Sequence, residues 1–256
     1  MNKVSVVTSC SFGGWHEYGF KCLESMLIHW PLEIDIYLVS EDKLPIEQVQ
    51  KWEKREGRLI SRSLYDNAHA KFFYEQHANN AKAKGKGRPT YDFRLDAYRF
   101  SKKVFAIELI AAELKVGRLI WLDADTVTLN PVPLEMLQRM PPNGSAIAYL
   151  ARLDSYHSEC GWVAYNLDLE ITRQFITQFS GLYHSGEVFK LKEWHDSWVF
   201  DWLRKRLNIA SHKIPHNNNG HPFVYSELGQ YMDHLKGNRK RLGMSTEHPR
   251  FKRRKG

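Results

Sequence analysis

The sequence predicts an α/β fold in which a mostly parallel central sheet is flanked by helices, followed by an irregular C-terminal extension. Three observations lead there. Strand-like β-branched runs and amphipathic helical patterns alternate from the N-terminus onward, which implies parallel strands with helices on both faces. The segment Arg118–Leu122 is an apolar, buried-looking strand fed directly by a long helical pattern. At 256 residues, 43% hydrophobic and 26% charged, the chain is long enough to bury the core of one large domain, and a disordered or fibrous reading is excluded.

The elements follow in order. Residues 4–9 (VSVVTS) read as a strand that stops at a Ser-Cys-Ser-Phe-Gly-Gly turn. From Tyr18 to His29 the spacing of Phe20, Leu23, Leu27 and Ile28 predicts a helix. Residues 34–39 (IDIYLV) alternate as a second strand. Pro45 opens a helix that Gly57 closes with a left-handed cap. Asp92 is the expected N-cap of a long amphipathic helix ending near Gly117. Trp194, Trp198 and Trp202 fall at helical spacing, a stripe that reads as a packed face or as a shelf for sugars and bases. No internal repeat or low-complexity linker interrupts the series. The expected organisation is one domain over residues 1–240, its irregular extension starting near His212, and a basic tail over 241–256.

Charge and cysteines narrow the class. The net charge is +8, yet nine of the 37 basic residues and one of the 29 acids lie between Lys236 and Gly256, so the remainder is balanced. A second basic run, Lys82, Lys84, Lys86 and Arg88, reads as a mobile loop. Both segments suit contact with the phosphates of a nucleotide or a nucleic acid, or simply a solvated surface. Cys10, Cys22 and Cys160 make an odd count without zinc-type pairing, which favours a reducing compartment. The longest apolar stretch, Val104 to Leu122, is interrupted by Glu108, Glu113, Lys115 and Arg118, so no transmembrane segment is expected. With no secretory pattern at the N-terminus, the expected location is cytoplasmic.

The sharpest chemical signal is Leu119-Ile-Trp-Leu-Asp123-Ala124-Asp125-Thr126, a strand ending in two carboxylates two residues apart. In an extended chain such residues face the same way, so Asp123 and Asp125 can converge on one cation while Ala124 leaves room for a ligand. A hard dication, Mg²⁺ or Mn²⁺, is their natural partner and commonly bridges to substrate phosphates. The other reading is a strand-to-turn junction whose acids cap the next element; the C-terminal end of a parallel strand favours the ligand reading.

Further segments fall in one order: Tyr98-Arg-Phe, the Asp-Ala-Asp strand, Glu159-Cys-Gly-Trp-Val-Ala-Tyr-Asn166, His195-Asp196-Ser197 and His234-Leu-Lys-Gly237-Asn-Arg-Lys240. Together they resemble nucleotide-sugar glycosyltransferases of the GT-A (Rossmann-like) fold, most nearly glycosyltransferase family 8, over residues 4–240. The resemblance implies that Asp123, Asp125 and His234 hold a metal, and that Gly237 and Lys240 grip the donor diphosphate. The imidazole tips the expected ion from Mg²⁺ towards Mn²⁺. The resemblance places Arg99 near the donor, with Lys103 one turn further along the same face; Asp96 or Glu108 are the alternative partners of either. It places Thr8 and Ser9 at the nucleoside. Asp196 matches an aspartate on the acceptor and sugar side, where it acts as general base in an inverting reaction, or orients the sugar and stabilises an oxocarbenium-like centre in a retaining one. Two departures stand out: Ser197 replaces a common glutamine, and Glu159 a common asparagine. Glu159 thereby becomes a second candidate base or nucleophile, the alternative being an exposed loop glutamate.

The function so implied is metal-dependent transfer of a sugar from a nucleotide diphosphate sugar, UDP-linked by expectation, to an acceptor hydroxyl. The acceptor is a hydroxymethylated base in DNA, flipped out if it lies in a duplex, or otherwise a glycan or protein. Two other readings compete. The Asp123-x-Asp125 strand resembles the nucleophile motif of haloacid-dehalogenase-type phosphatases, but that motif belongs near the N-terminus with a downstream acidic cluster. A non-catalytic nucleic-acid-binding module would account for the basic segments and leave the acids and His234 unexplained.

Overall fold

The computed structural model describes residues 3–152, 157–216, 221–237, 239–245 and 248. Most of the expected basic tail, residues 246–247 and 249–256, lies outside the described residues. Nine strands are described: β1 (Val4–Cys10), β2 (Asp35–Ser40), β3 (Leu59–Ser63), β4 (Arg118–Leu122), β5 (Thr126–Thr128), β6 (Ile147–Leu150), β7 (Glu159–Asn166), β8 (Ser211–Lys213) and β9 (Met232–His234). Seven form one sheet in the order β3-β2-β1-β4-β7-β6-β8, and β5 and β9 pair as a separate antiparallel ribbon. Within the large sheet only β7 runs against its neighbours β4 and β6; every other pairing is parallel. The mostly parallel sheet flanked by helices is therefore as the sequence predicts.

Strand pleating divides the core in two. Along β1 and β4, Val7, Leu119 and Trp121 belong to one apolar cluster, and Val6, Ile120 and Leu122 to the other. The helices Ala97–Leu114 and Glu170–His184 cover the first face through Phe105, Ile110, Phe175 and Phe179. Helix Phe20–His29 covers the second through Leu23 and Met26. All seven residues of β1 and all five of β4 are buried, so neither strand alternates in polarity.

Several local expectations shift. The helix after β1 begins at Phe12, because the Ser11 side chain accepts from Gly14 N and starts a helical run that continues through the π-helical turn Trp15–Gly19 into Phe20–His29. Asp92 caps only the short 3₁₀ turn Phe93–Leu95; the cap of the long helix is Asp96, which accepts from Arg99 N at 3.0 Å. The expected Gly57 cap of helix Ile46–Glu56 is present, with φ 66°. Lys82–Arg88 is a tethered turn: Ala83 is fully buried, its carbonyl accepts from Tyr98 N at 2.9 Å, and Lys84 Nζ lies 4.6 Å from the Tyr98 ring centroid.

The extension after His212 is turn-rich but contributes the end of β8 and all of β9. Trp198 and Trp202 stack on helix Asp196–Arg206 with centroids 6.4 Å apart, whereas Trp194 precedes that helix and packs against Phe189 at 5.1 Å. All three pack on the core. Cys10, Cys22 and Cys160 are buried free thiols. Among the described residues no helix is long and apolar enough to cross a membrane.

Candidate active site

The two acids of the Asp123-Ala-Asp125 motif lie just past the end of β4, in the turn that leads to β5. Thr126 N donates to Asp123 O at 3.0 Å and closes that turn. Their convergence thus comes from a turn and not from strand alternation, because β4 ends at Leu122. Ala124 is 6% exposed and packs into the apolar core.

The ribbon β5–β9 brings in the distant imidazole. Thr126 pairs with His234, and Leu235 N donates to Asp125 O at 2.8 Å. His234 Nε2 then lies 2.9 Å from Asp125 Oδ1 and 3.6 Å from Asp123 Oδ2. One ligand atom from each of these residues falls within 4.8 Å of the other two, which is the spacing a single dication needs. Two carboxylates with one imidazole make a mainly oxygen donor set that suits Mn²⁺ or Mg²⁺. Lys240 Nζ is 3.2 Å from Asp125 Oδ2 and 4.0 Å from the Tyr18 ring centroid. Gly237, with φ 62°, sits in the turn between β9 and Lys240, whose backbone N donates to Gly237 O at 3.2 Å.

Glu159, the first residue of β7, is 1% exposed, so it is not a loop glutamate at the surface. Its Oε1 lies 3.3 Å from His234 Nδ1, and its Oε2 meets Arg152, Lys236 at 3.4 Å and His221 Nε2 at 3.4 Å. Burial alone would raise the Glu159 pKa, but Lys236, His221 and His234 hold it well below the ordinary carboxylate range. Burial alone would lower the imidazole of His234; Asp125 and Glu159 outweigh it and push the pKa up to about 10. Asp125 is held low by His234 and Lys240 against its own burial. Gly161 completes this packing, because a Cβ there would lie 2.6 Å from the His234 ring.

On the other side of Asp123 the partner is a lysine. Lys103 Nζ lies 2.8 Å from Asp123 Oδ1 and 2.7 Å from Asp196 Oδ2, and donates to Cys160 O at 3.0 Å. Trp121 Nε1 also donates to Asp123 Oδ1, at 2.6 Å. Burial would lower the Lys103 pKa, but the two aspartates raise it well above the ordinary lysine value. Asp196, buried as the first residue of its helix, is depressed by Lys103 and His195 despite desolvation. Of the alternative partners, Glu108 instead binds Asn67, His69 and Ser180.

The remaining expected residues lie around this centre. Arg99 is exposed on its helix beside Tyr91, Tyr18 and Asp96, one turn before Lys103. Ser9 Oγ donates to Glu41 at 2.9 Å, and Glu41 also holds Lys102 at 2.9 Å. Thr8 is 1% exposed and points to the interior. Sequence reasoning passed over Glu41, Trp121, Arg152, Gly161, His221 and Lys236. Only Glu41, an acid just beyond the C-terminal end of β2, carried a positional signal.

No family model and no curated protein matches this chain. Among solved structures, the apo form of glycosyltransferase GlyE of Streptococcus pneumoniae is similar with a TM-score of 0.51 at 14% identity, over 83% of this chain and 45% of that one. The apo bifunctional glycosyltransferase WbbM gives a TM-score of 0.52 at 11% identity, over 93% of this chain and 46% of the other. The chain thus spans a little under half the length of each. At such identities the likeness speaks to the fold, and the fold is one of the GT-A type shared with these glycosyltransferases.

Proposed function

We propose that the chain moves a sugar from a nucleotide diphosphate sugar, UDP-linked, to an acceptor hydroxyl, with Mn²⁺ or Mg²⁺ held by Asp123, Asp125 and His234. The observation that carries this reading is the placement of His234 Nε2 at 2.9 Å from Asp125 Oδ1 by a ribbon that joins residues far apart in the chain. Neither a phosphatase nor a passive nucleic-acid-binding module calls for that ribbon.

A bound dication would neutralise charge that develops on the departing diphosphate. Lys240 offers its ammonium to the same phosphate, and the turn at Gly237 lets backbone amides approach it. Glu159 Oε1, 3.3 Å from His234 Nδ1, stands behind the ring and leaves Nε2 as the ligand atom, the place of an outer carboxylate behind a metal-binding histidine. Its burial and its cationic partners suit that positioning work better than attack on a sugar. In the transfer the bond from the anomeric carbon to phosphate oxygen breaks, a bond to the acceptor oxygen forms, and the acceptor's proton passes to the departing diphosphate. An ion-paired carboxylate is a weak base but a strong hydrogen-bond acceptor, so Asp196 orients a sugar hydroxyl and stabilises positive charge at the anomeric carbon.

The test is a panel of nucleotide diphosphate sugars, read by release of nucleoside diphosphate with Mn²⁺, with Mg²⁺ and with chelator. A second panel presents hydroxymethylated duplex DNA, glycans and peptides as acceptors. Metal-dependent release from one donor, lost in Asp125→Asn, is expected. Hydrolysis of simple phosphomonoesters, or no turnover of any donor under any metal, would overturn the reading.

A further inference from the structure

A second convergence of ligand atoms lies at His157, Glu193 and His195, and the chemistry above does not use it. His195 Nε2 is 3.0 Å and His157 Nε2 3.4 Å from the same oxygen, Glu193 Oε2, and the ligand atoms all fall within 4.8 Å of one another. The two imidazole rings stand 5.1 Å apart, inclined by 60°. Their surroundings hold them in place. The His195 side chain is 8% exposed, with Phe93 at 5.7 Å and Phe100 at 5.9 Å from its ring. The backbone beside His157 is pinned by Ser158, whose N and Oγ donate to Asp201 at 2.9 and 2.7 Å. The His157 side chain, 40% exposed, leaves the group open to solvent on one side.

In the structure His195 Nε2 lies at hydrogen-bond distance from Glu193 Oε2, 3.0 Å, while His157 Nε2 stands farther off at 3.4 Å. A dication at the shared point would satisfy all three groups at once. Two imidazoles and one carboxylate, with a fourth position left to water, form a borderline-soft donor set typical of Zn²⁺, unlike the oxygen-dominated set at Asp123 and Asp125. We propose that His157, Glu193 and His195 bind a transition-metal dication of the Zn²⁺ class. The ion ties the segment that leads into Glu159 to the segment that leads into Asp196, and so braces the two approaches to the active site from outside it. This proposal is independent of the sugar-transfer reading.

The test is calorimetric titration of the full chain, freed of metal, with Zn²⁺ and separately with Mn²⁺, for wild type, His157→Ala and Glu193→Gln. Each variant is expected to bind one equivalent of Zn²⁺ fewer than wild type and to keep its Mn²⁺ binding. Co²⁺ added to wild type is expected to give the intense visible bands of a four-coordinate site, absent from His157→Ala. An unchanged Zn²⁺ stoichiometry in His157→Ala would overturn the proposal, as would loss of Mn²⁺ binding in step with Zn²⁺. Because His157 lies largely at the surface, a matching thermal melt of this variant separates loss of the site from loss of the fold.

Discussion

On one side of Asp123 the acids Asp125 and Glu159 meet an imidazole; on the other, Asp196 meets an ammonium. Asp123 joins the two, with Oδ2 facing His234 at 3.6 Å and Oδ1 facing Lys103 at 2.8 Å. The cations differ in what they can give up. An imidazolium loses its proton when a metal takes its place, so the His234 side is built to exchange one positive charge for another. Lys103, raised well above its ordinary value and linked to two carboxylates, stays charged throughout. Under the proposed reading, a removable positive charge stands where the dication would enter and a permanent one beside the sugar.

The largest effect separates the two sides by function. Asp125→Asn is expected to abolish Mn²⁺ binding and to lower transfer by about 10³-fold, the scale of losing a principal electrostatic contact to the leaving group, with the fold intact by thermal melt. Lys103→Met should do the reverse. It leaves the buried Asp196 without its lysine, which costs about 3–5 kcal/mol of stability, read as a fall in the urea midpoint.

The pH response sharpens the contrast. The folded-state pKa of His234, about 10, lies above its ordinary 6.5, so the imidazolium contributes stability that is complete below about 6.5 and is lost as pH rises towards 10. The chelated protein should therefore show a melting temperature that falls over this window, and His234→Asn should flatten the curve. Mn²⁺ should flatten it as well, since a ligating imidazole is already neutral. The Lys103 side has no part in this slope. Gly161→Ala has the smallest expected effect, about 1–3 kcal/mol from overpacking. Because the new Cβ meets the His234 ring, Mn²⁺ affinity should fall in this variant while the Lys103 side keeps its geometry.

The same division marks what could be read from the chain alone. The strands β1, β2 and β4, the Gly57 cap and the Asp123-Ala-Asp125 turn are local features, written in runs of a few residues. Lys103 was legible as a cation on the right helical face, though its partners were not. His234 was placed beside the two aspartates by resemblance and not by spacing: its contact with Asp125 spans 109 residues, and β5 and β9, three residues each, leave almost no periodicity to find. The burial of Glu159 was hidden for a similar reason: β7 runs antiparallel between β4 and β6, a register that no spacing encodes.

The central claim is that the imidazole of His234 ligates the ion held by Asp123 and Asp125. Pulsed electron paramagnetic resonance of the Mn²⁺-loaded protein reads nitrogen bound to the ion directly. The expected result is an imidazole nitrogen modulation in wild type that is lost in His234→Ala and kept in His195→Ala. A wild-type spectrum without nitrogen coupling, or one that His234→Ala leaves unchanged, would contradict the account.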